Sequence, residues 1–452
     1  MKMFKRILAL MLCLLLALSM VACGGPAETP QNNNEQENNQ TENTEVSGPP
    51  AYVTEPVTIT LWHNRGAGAN LDALRRSIDA FNSTNEYGII VEEEYIGGYA
   101  TVLSKTATAV AAGNNPSMVL LHSAGIVSLA SKGAFADMAP YAERDQFDTN
   151  NFIESLMAFS YYEDELISLP YVASTCMLAY NKDLLSAAGY TEPPQTIAEL
   201  EEIGKKINDT TGKYGFGMYI SADYIVDSLV FDQCGVGIMG DDNTTECLDN
   251  GALKTVMDDW RGWIEEGWCA EPNVTSGATL MIQDFQNGEV AMTAYSSGGM
   301  SDVMAYAKEA GQNIDFGYLP GYNGPATNIG GGNLAILKAN QSQQEIAAAW
   351  EFMKFIYQDE WVVDNSVSTG YLPVTHSSTE NADLQAFWAE NPWFKRAYEQ
   401  LEWANASAFS EYEEEWRNAV NNALSYVIQD GTMTSEEAIA YLKRQASVIF
   451  YE

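Results

Sequence analysis

The sequence predicts an α/β protein of two lobes, and three observations carry that prediction. Short apolar, strand-like runs alternate with amphipathic helical stretches between residues 57 and 132. A second alternation of the same kind starts near Leu166. Between the polar N-terminal stretch and the last residue lie roughly 400 residues, enough for two cores.

The elements follow in chain order. Lys2, Lys5 and Arg6 precede an apolar run from Ile7 to Leu18, which is short for a bilayer span. Met20-Val21-Ala22-Cys23 then fits a lipoprotein signal, with residues 1–22 removed and the Cys23 thiol acylated, although Met20 stands where leucine is usual. Residues 23–55 are expected to be a solvated tether, because stretches such as Gln31-Asn-Asn-Asn-Glu-Gln-Glu37 offer nothing to bury. The body opens with Val57-Thr-Ile59-Thr-Leu61-Trp62, alternating as a strand. Leu71, Leu74, Ile78 and Phe81 follow at helical spacing. Strands are expected at Ile89–Val91 and Met118–Leu121, and helices over 100–112 and 124–132. The second α/β-like stretch begins near Leu166–Pro170, and Met177–Tyr180 reads as a further strand. Thr196-Ile-Ala-Glu199 reads as a capping box, and Ile346, Trp350, Met353 and Ile356 share one helix face. The expected first lobe is 56–165 plus about 300–345, and the second is 166–299 plus about 346–452.

The formal net charge is −38, and it falls to about −41 when the signal, with its three positive charges, is removed. Such a body should repel nucleic acid, and it disfavours a strongly anionic ligand unless a local cation intervenes. Membrane attachment is expected through the acyl chains alone. Cys176, Cys234, Cys247 and Cys269 match no zinc spacing. Free thiols and one disulfide are equally open, with Cys234–Cys247 the favoured pair.

Several short motifs recur in a fixed order: Leu61-Trp62-His63, Gly98-Tyr99, Ser174-Thr175, Tyr180-Asn-Lys-Asp183, and Phe285-Gln-Asn-Gly288 running on to Thr293. Ser296-Ser297-Gly298, Gly330-Gly331 and Thr369-Gly-Tyr371-Leu-Pro373 complete the series. In order and spacing the chain resembles the extracellular solute-binding proteins of family 1, particularly the members that bind glycerol-3-phosphate and related sugar binders. The resemblance implies the type II periplasmic-binding-protein fold, with a ligand cleft between lobes that close by hinge bending. It implies a substrate-binding role beside an ABC permease and its ATPase, as a monomer with no cofactor. It places Tyr99, Ser174, Ser297, Gly331 and Tyr371 in the cleft, with Tyr224 where a pocket tryptophan is usual. A cleft glutamate of those relatives aligns with Ser123, and their phosphate-binding arginine aligns near Phe409. Arg417 and Lys395 are the cations that could reach that position in its place.

The residues support that reading without the resemblance. Tyrosine rings offer apolar faces to the C–H side of a sugar and a hydroxyl to its rim. Gly330-Gly331-Gly332 permits close backbone approach. Taken alone, Tyr99 and Tyr371 also suit a core, Ser296–Gly298 suits a helix cap, and Trp62 suits either the first strand's core or the cleft. The expected ligand is a neutral, polyhydroxylated carbohydrate, with glycerol-3-phosphate or its diesters as the alternative. A carbohydrate-active enzyme is the rival from another class, but no catalytic or metal residue is assigned. Glu92–Glu94 and Glu413–Glu415 read as solvated faces, and His63, His122 and His376 are scattered without metal spacing.

Overall fold

A computed structural model describes residues 51–273 and 277–451; the expected signal, Cys23 and most of the tether lie outside the described residues. β1 (Thr58–His63) buries Ile59 and Leu61 and lies parallel to β2 (Ile90–Tyr95) and β3 (Met118–His122). α1 (Ala69–Thr84) buries Leu71, Leu74, Ile78 and Phe81, the helical face expected from their spacing. α2 (Tyr99–Ala112) and α3 (Gly125–Ala130) follow β2 and β3, so three strands send their carboxyl ends to one edge.

β4 (Leu169–Asn181) joins the two halves of the molecule. The strand expected at 177–180 is part of this one 13-residue element, buried throughout, while Leu166 lies outside it in the short strand Glu165–Leu166. Pro170, which lacks an N–H, sits where the pairing slips, between Gly332 and Asn333 of the facing strand. Beyond β4 come β5 (Phe216–Gly217), β6 (Cys269–Ala270), β7 (Met292–Ser296), β8 (Ile314–Pro320) and β9 (Ile329–Ile336). The first half of β4 pairs antiparallel with β9, which also pairs antiparallel with β3. Its second half lies between β7 and β8, both antiparallel to it. Parallel pairing thus dominates the outer strands, while the strands that join the halves run antiparallel.

Two apolar cores flank this sheet. Cys176, Leu178 and Tyr180 of β4 enter the second core, while Met177 and Ala179 enter the first, as period-two alternation requires. The second core centres on Trp260, Trp268 and Trp416. It receives α4 (Ile197–Thr211), α5 (Asp227–Cys234) and α6 (Ala252–Glu265). Thr196 caps α4 at the Glu199 N–H, but the Glu199 carboxylate reaches the Gln195 N–H in place of the cap's own.

The expected lobe boundary near 345 is corrected by the packing. α7 (Met300–Ala310) is followed by β8, which pairs with the second half of β4 and not with β1 or β3. α8 (Gln343–Ile356), held by a complete Ser342–Glu345 capping box, packs its Trp350 face on β1, α1 and β9. An amphipathic pattern says that a face is buried and leaves open which sheet buries it. α9 (Pro392–Glu399) also lies in the first core, while α10 (Glu413–Ile428) and α11 (Ser435–Tyr451) lie in the second. The favoured Cys234–Cys247 disulfide is not formed. All four described cysteines are free, with the Cys234 thiol on the Val230 and Val236 carbonyls and the buried Cys247 thiol on Ile238.

Candidate ligand cleft

The carboxyl ends of parallel strands, next to a place where strand order changes, are where α/β sheets bind ligands. Here β1 runs out into Asn64 and Arg65, β3 into Ser123, and α2 begins with Tyr99. Facing them are Ser174 on β4, Gly330 on β9, Ser296 at the end of β7, and Tyr224 in the wide π-helical turn Ala222–Val226 that enters α5.

Tyr224, Ser174 and Ser296 form one polar group. The Tyr224 hydroxyl donates toward Ser174 Oγ at 3.2 Å and lies 3.4 Å from Ser296 Oγ. Its ring lies flat enough on β9 that a Cβ at Gly330 would come within 2.7 Å of Tyr224 Cε2. Burial keeps this phenol protonated far into the alkaline range, so it works as a neutral donor and acceptor. Gly330 therefore serves the site by leaving room for the ring.

On the facing wall the Ser123 hydroxyl donates to Asn333 Oδ1 at 2.8 Å, and Asn333 Nδ2 donates to Ser168 Oγ at 2.9 Å. His122, Ser123, Phe159, Gly330, Gly331 and Ser407 line one cavity between the two walls. Tyr99 stands edge-on to His122, ring centroids 5.3 Å apart. Its buried hydroxyl has no hydrogen-bond partner of standard geometry, and neither has His122 Nδ1. Desolvation lowers the His122 pKa, so this ring is held neutral. Tyr371 lies against the backbone of Gly298, where a Cβ would come within 2.5 Å of its ring, and the Arg65 guanidinium stacks on it at 4.6 Å from the centroid.

The remaining sequence candidates make other contacts, and of them Gly331 also lines the cavity. Trp62 packs on the α2 side of β1 and donates from Nε1 to Glu94 at 2.9 Å. The Ser297 hydroxyl is buried and accepts the Thr175 N–H at 3.2 Å, which makes it a brace between β4 and the start of α7. Gly331 has φ of +139°, and a Cβ there would meet the Val172 carbonyl oxygen at 2.0 Å. Its side-chain-free position lets β9 and β4 pair. His63 is a satisfied structural histidine: Nε2 lies 2.7 Å from Glu93, and Nδ1 accepts the Arg65 N–H at 3.0 Å.

Neither cation named from sequence is free for a ligand. Arg417 is tied to Asp223 at 3.0 Å and to Glu414, with Glu413 beside it. Lys395 pairs with Glu399 on an exposed helix face. Phe409 stacks on Phe159 and Tyr162, with centroids 6.0 and 6.3 Å away and planes 21° and 26° apart. Its backbone N–H is held by Asp241 in the opposite half. An aromatic contact therefore stands close to where the relatives' arginine aligns. Sequence reasoning missed Arg65, Asn64 and Asn333. The one signal available was their position at the open end of β1, or on a strand beside it.

This arrangement has counterparts. The model of a family described as bacterial extracellular solute-binding protein matches residues 76–396. The chain belongs to that family. The sn-glycerol-3-phosphate-binding periplasmic protein UgpB of Brucella melitensis is 29% identical over 350 residues, covering 74% of this chain and 78% of that protein. The GacH receptor of Streptomyces glaucescens, solved unliganded and with acarbose, superposes with a TM-score of 0.78 at 20% identity, covering 88% of this chain and 100% of that one. UgpB from Mycobacterium tuberculosis, solved with glycerophosphocholine, gives a TM-score of 0.76 at 22% identity, covering 88% and 98%. The fold is thus the two-lobed periplasmic-binding-protein fold of type II expected from the sequence, and the chain is a solute-binding protein of the ABC-importer class.

Proposed function

We propose that this protein captures an extracellular carbohydrate, a mono- or oligosaccharide, and delivers it to a membrane permease by closure of its two halves. The observation that carries this reading is the convergence of three tyrosines (Tyr99, Tyr224 and Tyr371) with the hydroxyls of Ser174 and Ser296 and the backbone of Gly330. Ring faces take the C–H side of a sugar, and the hydroxyls and amides take its rim. Micromolar binding corresponds to about 8 kcal/mol, within reach of a few stacked rings and hydrogen bonds in a closed cleft. The ligand is read as leaving unchanged, in keeping with the solute-binding family to which the chain belongs.

Cys23 is read as the acylated anchor, residues 23–55 as a tether, and the working form as a monomer at the outer face of the cell membrane. Glycerol-3-phosphate or its diesters is the second reading, favoured by the named ligands of the relatives. Against it, the arginine that the resemblance implies aligns near Phe409, whose ring is stacked on Phe159, and Arg417 is already held by acids. Native mass spectrometry of protein purified without refolding tests the choice. A retained hexose or oligosaccharide supports the proposal, and a retained glycerophosphodiester, or turnover of an added glycan, removes it.

A further inference from the structure

Arg65 is unlike the other buried cations of this chain. It is only 4% exposed, yet its Nε and Nη2 have no hydrogen-bond partner. Arg144 is paired with Asp145, and Arg417 with Asp223 and Glu414. Among the described residues Arg65 has no ion pair at all, in a chain with 61 acidic residues. Burying an uncompensated charge is costly, and a fold retains one where a partner arrives later.

The side chain is also held in a defined pose. Its backbone N–H is anchored on His63 Nδ1, and His63 is clamped through Nε2 by Glu93, which Arg75 grips from the other side. The guanidinium face lies on the Tyr371 ring, so its edge is what remains for a ligand. Nε and Nη2 together are the side-on fork of arginine, whose two parallel N–H groups match the two oxygens of a carboxylate or phosphate. Two further buried atoms nearby lack a partner of standard geometry: the Tyr99 hydroxyl, which has Asn64 and Tyr371 beside it, and Asn64 Oδ1. Burial keeps Tyr99 protonated, so it can donate to an oxyanion. Asn64 Oδ1 can only accept, which suits a neighbouring hydroxyl of the same ligand.

We infer that Arg65, Tyr99 and Asn64 form a subsite for the anionic group, carboxylate or phosphate ester, of an acidic carbohydrate. This rests on the carbohydrate reading of the cleft and replaces the neutral ligand expected from sequence. The anion satisfies the guanidinium fork and the Tyr99 hydroxyl, while Asn64 takes a hydroxyl one or two carbons away. The rest of the sugar extends toward Tyr224 and Ser174.

Calorimetry on the full mature chain tests it with ligand pairs that share a sugar ring and differ in the acidic group. These are galacturonate and its trimer against galactose and galactotriose, and glucose 6-phosphate against glucose, with glycerol-3-phosphate beside them. An acidic sugar should bind ~100-fold or more tightly than its neutral partner, the worth of two charge-assisted hydrogen bonds. Arg65→Gln should erase that difference and Arg65→Lys should keep part of it, since lysine retains the charge without the fork. The unliganded Arg65→Gln protein should melt no lower than wild type, because an unsatisfied buried charge has been removed. A lower melting temperature with unchanged affinities would make Arg65 a structural residue and overturn the subsite. Equal binding of neutral and acidic partners, untouched by Arg65→Gln, would also overturn it and leave the carbohydrate reading standing. Arg65-dependent binding of glycerol-3-phosphate with no saccharide bound would keep the anion site and remove the carbohydrate reading. Failure of every probe would remove both.

Discussion

Phe409→Ala isolates the contact that closes the cleft. The ring is carried by the half that contains Asp241, yet it stacks on Phe159 and Tyr162 of the half built on β3. Its centroid distances lie at the long end for aromatic pairs, so each stack is worth about 0.5 kcal/mol beyond burial. Truncating a half-buried phenylalanine removes about 1 kcal/mol more of apolar burial. The closed form should therefore lose about 2 kcal/mol. If the contact exists only when the halves meet, that loss falls on the closing equilibrium. Ligand affinity should then drop roughly 30-fold while the unliganded protein keeps its melting temperature. Calorimetry with the best-bound saccharide gives the first quantity, and a thermal melt without ligand gives the second. Small-angle scattering should show the variant needing more ligand to reach the compact profile. Unchanged affinity, or an unliganded melting temperature lowered in proportion, would refute the reasoning, because the contact would then be a permanent part of the fold.

Four other outcomes follow from named residues. Gly331→Ala should destabilise the protein by about 3 kcal/mol or more, since a Cβ meets the Val172 carbonyl at 2.0 Å in a left-handed backbone. Gly262→Ala, in the interior of α6 with open space around it, should stabilise by about 1 kcal/mol in the same melt. Burial lifts the Asp227 carboxyl to about 7. A raised carboxyl contributes stability in full below its unfolded value of about 3.9, and that contribution is lost as pH rises through its folded value. Melts at pH 5 and pH 8 should show wild type losing more stability than Asp227→Asn, and parallel curves would count against the assignment. Cys23→Ser should abolish labelling by a fatty-acid probe and release the protein from the membrane, whereas continued labelling would exclude Cys23 as the acylated residue.

The order of strands and helices was legible in the sequence because each rests on local periodicity. Ile59 and Leu61 alternate, and Leu71, Leu74, Ile78 and Phe81 return every turn. What periodicity omits is the partner. The Trp350 face of α8 reads as buried whichever sheet covers it, and the lobe boundary was misplaced for that reason. β4 starts well ahead of the strand expected at 177–180, because its first half, with Pro170 at a bulge, is defined by its pairing with β9. Glycines and serines in short runs drew attention to the proposed cleft, as at Ser174, Ser296 and Gly330. Neighbours within a run have different contacts: Ser296 reaches the Tyr224 hydroxyl while Ser297 braces β4. Arg65 was invisible for a different reason. A single arginine between Asn64 and Gly66 has no motif, and its significance is the absence of a partner, which only packing shows. Arg417 is the converse case, a cation near the aligned site that Asp223, distant by 194 positions, had already engaged.

A crystal structure of the complex with the saccharide that binds most tightly is the most direct test of the central claim. The sugar should lie between the two walls, against the rings of Tyr371 and Tyr224 and the Gly330 backbone, with its acidic group on Arg65. Density at the surface groove lined by Glu271, Leu280 and Asp284, with the cleft empty, would contradict the account.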